Sequence, residues 1–180
     1  MTDNSHFYSA YCIVDTVCHD DVIERFVQYR MMAKNLLNGE PVPYLLDFMK
    51  WKNLWITDIY PEIWADDENR CRRFTSHEGI RIDFRKISNT SVFAFLKDFQ
   101  ENDGVMVISG SYQDEENRRA DSRKLRLYRY FFNELKGRLD FDIVESEGMN
   151  AFFIFKAGSS ISHDIIKAQY ETFRHGRDKN

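Results

Sequence analysis

Proline and glycine are scarce in this sequence, which has three prolines and eight glycines among 180 residues. Flexible or extended linkers depend on these residue types, so their scarcity argues against several tethered domains. A chain of 180 residues also suits one domain with one hydrophobic core. We therefore predict a single domain that spans residues 1–180.

Cysteine is rare as well. Cys12, Cys18 and Cys71 form an odd set without a CxxC pair, which is typical of reduced thiols in a reducing compartment. A structural zinc site needs four ligands, usually in closely spaced pairs. Here Cys12, Cys18, His19 and Cys71 would meet only if the fold assembled them. We predict free thiols, no metal and no cofactor.

Long apolar runs are missing too. No segment approaches the roughly 18 consecutive apolar residues of a membrane span, and segment 1–10 lacks the apolar stretch of a signal peptide. The net charge is −4, so the chain as a whole is not a basic coat for nucleic acid. The sequence predicts a cytoplasmic protein without a membrane partner.

Apolar and aromatic residues are plentiful, at 43% and 15% of the chain, and supply a sizeable core. Their spacing predicts the α+β class, with one mainly antiparallel sheet flanked by helices. We predict that residues 1–70 are mostly helical. In that part a strand at 7–17 precedes a helix at 20–39 and a second helix from Pro43, and a short strand follows at 54–60.

Residues 71–176 are predicted to contain most of the sheet. Ile80, Ile82 and Phe84 alternate with charged residues, which predicts a strand at 80–87 paired in a hairpin with 73–76. A helix is predicted to start at a cap within 89–91. The remaining predicted elements are strands at 105–109, 141–145 and 151–156, a helix at 117–137 and a last helix after Ser162.

Three sequence runs in this part are VMVISGSY, SRKLRLYRYFF and NAFFIFKAG. They predict, in succession, a strand, an arginine-dense helix and the end of a hairpin. This arrangement, with its Arg-Leu-Tyr element, resembles small uncharacterised α+β families of bacteria. The resemblance covers about residues 72–157. It implies the fold class alone, because those families carry no assigned activity.

The predicted helix at 117–137 is unusually basic. Between Arg118 and Arg138 six arginines and two lysines face one aspartate and one glutamate, a net charge of +6, which leaves −10 for the remainder. Helical spacing gathers the apolar residues on one side: Leu125, Leu127, Tyr128, Phe131, Phe132 and Leu135. The other side carries Arg119, Arg123, Arg126 and Arg129, with Tyr130 beside them.

This basic side has two interpretations. Arginine forms bidentate contacts with phosphate and carboxylate groups, so the four arginines and Tyr130 predict a binding face for nucleic acid or an acidic protein. Alternatively, the face is simply solvated or neutralises acids of the same chain. A separate aromatic segment, 44–64, offers Trp51, Trp55 and Trp64 as a protein interface or as core.

Catalytic motifs are not evident. His19, His77 and His163 each precede an acidic residue, but acids near helix starts have a structural explanation. The sequence VISGS lacks the glycines of a nucleotide-binding loop. We predict a small non-catalytic binding or regulatory protein that engages an anionic partner, with a protein-interaction module as the alternative and an enzyme of unknown chemistry third.

Overall fold

The computed structural model describes residues 6–19, 23–67, 79–99, 104–109, 123–135 and 139–177. These residues form one seven-stranded sheet flanked by three α-helices, which confirms the predicted α+β class. The strands are β1 (Ala10–Val17), β2 (Arg25–Lys34), β3 (Pro41–Trp51), β4 (Leu54–Pro61), β5 (Val105–Ser109), β6 (Phe141–Ser146) and β7 (Ala151–Lys156). The helices are α1 (Phe84–Asp98), α2 (Arg123–Leu135) and α3 (His163–Arg177).

The sheet is mainly antiparallel, as predicted. Its strand order is β1-β2-β3-β4-β5-β7-β6. The one parallel contact joins β4 to β5, where Leu54 pairs with Val105, and α1 lies in the connection between these two strands. Long connections that contain a helix are the usual way to place successive strands parallel.

Helices cover both faces of the sheet. On one face, α1 and α2 pack over the larger core through side chains such as Phe95 and Phe132. On the other face, Ile166, Tyr170 and Phe173 of α3 pack over a second core that includes Phe153. The sheet is therefore the middle layer, and α1 and α2 share one side of it.

The predicted helices at 20–39 and from Pro43 are wrong, because both segments contain long strands. Every second residue of β2 from Val27 to Ala33 is buried, and Val27 pairs with Phe48 of β3 in an antiparallel hairpin. The helix was predicted from a different apolar set with approximately helical spacing, Val22, Ile23, Phe26, Val27, Ala33 and Leu37. Gly39 does not end a helix; it lies in the β2–β3 connection with a φ of +79°, a left-handed conformation that favours glycine.

The predicted strand at 80–87 is also wrong. Residues 80–83 are irregular, and α1 begins at Phe84, where the side chain of Asp83 accepts a hydrogen bond from the backbone N–H of Lys86. The predicted cap residues 89–91 instead lie inside α1 and are buried. There the hydroxyl of Thr90 donates to the carbonyl of Lys86 at 2.7 Å, so its polar group is satisfied by the helix itself. Segment 73–76 lies outside the described residues.

The remaining predicted elements agree with the structure where it describes them. The strands predicted at 7–17, 54–60, 105–109, 141–145 and 151–156 are confirmed as β1, β4, β5, β6 and β7. The last helix is confirmed as α3, in which Ile166, Tyr170 and Phe173 are buried and Ile165 is exposed.

One carboxylate is buried within the sheet. Asp47 of β3 is 2% exposed. Its two oxygens accept hydrogen bonds from the Tyr60 hydroxyl at 2.7 Å and from the Gln28 amide at 2.8 Å. These three side chains link β2, β3 and β4 across one face of the sheet, and such a buried polar group is tolerated because it is hydrogen-bonded.

We expect Asp47→Ala to lower the free energy of unfolding by about 1–3 kcal/mol, because it removes the acceptor of one buried and one partly buried hydrogen bond. Urea denaturation followed by circular dichroism measures this change. Asp140→Ala, at an exposed position, is the control and should stay within about 0.5 kcal/mol of the wild type. A loss at Asp47 no larger than the control's would show that the network adds nothing.

Candidate interaction surface on the basic helix

One side of α2 is fixed in the core. Tyr128, Phe132 and Leu135 are buried at the helical spacing predicted from the sequence. The ring of Phe132 stacks on Tyr128 at 5.5 Å between centroids and meets Phe152 of β7 edge-on at 5.5 Å. These contacts fix the rotation of α2 about its axis, and thereby decide which residues face solvent.

Among the side chains of α2 that the structure describes, five are exposed: Arg126, Leu127, Tyr130, Asn133 and Glu134. Glu134 pairs with Arg85 of α1, and we name the other four the outer stripe. Tyr130 is 61% exposed and Leu127 is 37% exposed. We expected Leu127 on the apolar side, but it lies at the boundary and reaches solvent. The Tyr130 ring rests edge-on against Phe131 at 5.8 Å, which supports the tyrosine in its outward position.

Arg129 is held by an acid of the same chain. Its Nε donates to Oε2 of Glu145 at 2.9 Å, and its Nη2 contacts the other oxygen of that carboxylate. This bidentate pair is partly buried and joins α2 to β6. For Arg129, the structure therefore favours the alternative in which the basic face neutralises an acid of the same chain. This pair could not be predicted from local spacing, because Glu145 lies on a strand distant from Arg129 in the chain.

The structure describes the other three predicted arginines, Arg119, Arg123 and Arg126, to different extents. Arg126 is exposed. Arg123 is the first residue of α2, and its side chain, like all of Arg119, lies outside the described part of the chain. The one acid within α2, Glu134, faces Arg85 of α1 at 3.5 Å. The structure therefore brings Arg123, Arg126, Arg129 and Tyr130 onto one helix, with Arg129 engaged by β6.

The three tryptophans of the aromatic segment do not form a common surface. Trp55 is fully buried and packs on Phe99 at 4.2 Å. Trp51 is half-buried against Phe173 of α3 at 5.7 Å, and Trp64 is half-buried in a short 3-10 helix, Glu62–Trp64. Because a fully buried side chain cannot contact a partner, Trp55 belongs to the core.

Two clefts flank α1. The larger, about 300 Å³, lies between segment 7–10, Tyr29 and the outer side of α1. There the Tyr29 hydroxyl donates to Oδ2 of Asp98 at 2.8 Å. Burial, together with this carboxylate, raises the pKa of Tyr29 well above its ordinary value. The phenol therefore stays neutral at physiological pH and acts as a hydrogen-bond donor, not as a base.

The second cleft, about 220 Å³, lies where the N-terminal segment meets α1 and α2. The described residues that line it are His6, Arg85, Asn89, Glu134 and Leu135. Its lining combines the opposite charges of Arg85 and Glu134 with the buried Asn89 amide and the apolar Leu135 side chain.

The two cysteines in the described part of the chain are free thiols, and Cys71 lies outside it. Partial burial and the nearby Asp15 raise the pKa of Cys12, so it is mostly protonated at neutral pH and is a weak nucleophile. Within the described ranges, no three His, Cys, Asp or Glu side chains are grouped so as to hold a metal ion.

In comparisons with known proteins, no family model, no curated protein and no solved structure matches this chain. Among the helices described above, none has the length and apolar character needed to cross a membrane. The inference about function therefore rests on the chemistry of the surfaces.

Proposed function

We propose that this chain is a non-catalytic binding protein whose outer stripe contacts an acidic protein surface. One observation carries the proposal: α2 exposes Tyr130 and Leu127 next to Arg126 while its opposite side is locked into the core. Tyrosine and arginine, together with tryptophan, are enriched at interaction hot spots. A rigid helix that displays them loses little conformational entropy on binding.

The charge of the chain specifies the kind of partner. The segment from Arg118 to Arg138 carries +6 in a protein with a total of −4, so an acidic surface is attracted to this segment and repelled by the remainder of the chain. Within α2 itself, Arg123, Lys124, Arg126 and Arg129 stand against one acid, Glu134, which is a net charge of +3. Nucleic acid is the less favoured partner, because tight binding of that kind relies on many phosphate contacts. Here Arg129 is already paired with Glu145, and the outer stripe mixes one arginine with apolar area.

Binding of a short acidic peptide tests this proposal. The probe is a fluorescent peptide in which glutamate and leucine alternate, followed by fluorescence anisotropy. We expect Tyr130→Ala and Arg126→Gln each to weaken binding by about 5- to 30-fold, the effect of losing 1–2 kcal/mol. The melting temperature should change by no more than about 2 °C, because both side chains are exposed.

Matched controls lie elsewhere on the surface. Tyr11→Ala and Arg81→Gln change the same residue types at exposed positions outside α2 and should bind the peptide as the wild type does. Equal losses in these controls would contradict a specific site on α2. If a single-stranded oligonucleotide binds more tightly than the peptide, with an affinity that falls steeply between about 50 and 200 mM salt, the partner is nucleic acid.

A further inference from the structure

The residues that line the smaller cleft beside α1 have no part in the proposed function. Arg85 of α1 and Glu134 of α2 place a guanidinium and a carboxylate 3.5 Å apart at its edge. Both side chains are about two-fifths exposed, at 39% and 42%. An ion pair with this exposure adds little net stability, so a ligand that carries both charges can exchange with it at small cost.

The third polar group is Asn89, which is 4% exposed. Its amide nitrogen donates a long hydrogen bond of 3.4 Å to the backbone carbonyl of His6. Its oxygen is buried, and no donor among the described residues reaches it. A buried amide oxygen without a donor is unfavourable, and here it belongs to a residue that lines a cavity. The group is therefore suited to accept a hydrogen bond from a bound molecule.

We infer that this cleft binds a small α-amino acid in its zwitterionic form. The ligand carboxylate pairs with the Arg85 guanidinium, which matches carboxylates with two parallel hydrogen bonds. The ligand ammonium lies between the Glu134 carboxylate and the Asn89 oxygen, and Leu135 contacts the side chain. The three groups that line the cleft match one ligand with an anion and a strong donor on neighbouring atoms.

The volume limits the size of the ligand. At about 30 Å³ of liquid volume for each water molecule, the 220 Å³ of the cleft corresponds to about seven waters. That space suits free glycine, alanine or another amino acid of similar size, and it is too small for a drug-sized molecule. The inference does not rest on the proposed function, because the cleft and the outer stripe use different residues of α2.

The wild-type protein provides the first test, with L-alanine as the probe and with propionate and ethylamine as analogues that each lack one charge. We expect L-alanine to bind with a dissociation constant of about 1 mM. At about ten times that concentration it should raise the melting temperature by about 3–6 °C. The Asn89 side-chain amide resonances should shift in the same titration. Each analogue should have less than about a tenth of the affinity, because it leaves one charge of the cleft unmatched.

Substitutions at the charged pair provide the second test. Arg85→Gln and Glu134→Gln should each weaken L-alanine binding at least tenfold, whereas Lys97→Gln, at an exposed position beside the larger cleft, should not change it. Equal responses to L-alanine, propionate and ethylamine would overturn the inference, as would unchanged affinity in Arg85→Gln. Should a variant fail to fold, the comparison of the three ligands on the wild-type protein still decides the question.

Discussion

Replacing Phe132 by alanine is expected to lower the free energy of unfolding by about 3–5 kcal/mol. Phe132 has no solvent exposure and is enclosed between Tyr128 of its own helix and Phe152 of β7. Its removal leaves a cavity at the contact that docks α2 on the sheet, and surrounding side chains fill such a cavity only in part. Urea denaturation monitored by circular dichroism measures the loss.

Tyr130→Ala is the control for this experiment. It removes a ring of similar size two residues earlier on the same helix, where the side chain is 61% exposed. Its effect should stay within about 0.5 kcal/mol of the wild type. If both substitutions cost the same, or if Tyr130→Ala costs more, then the rotation of α2 is different from the one described and the outer stripe is not the solvent side.

Replacing Trp55 by alanine is expected to cost about 3–5 kcal/mol as well, since Trp55 is fully buried. Its ring packs on Phe99 at 4.2 Å, and the Lys50 and Arg25 cations lie 5.7 and 5.8 Å from the ring centroid. Thermal and urea denaturation should both show the loss. Trp55→Phe should cost less, because within the described residues the indole N–H has no hydrogen-bond partner to lose.

The same substitution distinguishes the two interpretations of the aromatic segment. If Trp55 is core, Trp55→Ala destabilises the fold, and Trp55→Phe retains both the fold and the binding of the acidic peptide. If Trp55→Ala instead left the melting temperature unchanged while it abolished binding, the segment would be an interface and the buried position of Trp55 would be contradicted. Trp51→Ala should have the smaller effect on stability, because Trp51 is half-buried.

The sequence was most informative where structure depends on local spacing. The buried side of α2 follows from residues three and four positions apart, and Tyr128, Phe132 and Leu135 were assigned correctly. The short strands β5 and β7 were recognisable from dense apolar runs. In β2, however, Val27, Tyr29, Met31 and Ala33 alternate with period two, whereas the predicted helix was based on an approximately helical pattern that omits Tyr29 and Met31.

The site residues were harder to predict because their partners are distant in the chain. Arg129 has no acid three or four positions away, yet it pairs with Glu145 on β6. The smaller cleft combines residues from the N-terminal segment, α1 and α2, so no local sequence motif predicts it. Asn89 was one of three residues predicted as a helix cap. Its place as a buried group with an unmatched oxygen depends on the packing of His6 against α1.

The central claim is that the outer stripe of α2 is the binding surface, and mapping by nuclear magnetic resonance tests it most directly. The measurement is a titration of isotope-labelled protein with the alternating glutamate and leucine peptide, followed through backbone amide shifts. We predict that the largest shift changes occur at Arg126, Leu127 and Tyr130, and that the amides of β1 at the sheet edge stay unchanged. Largest changes on β1, or no response on α2 at saturating peptide, would contradict the claim.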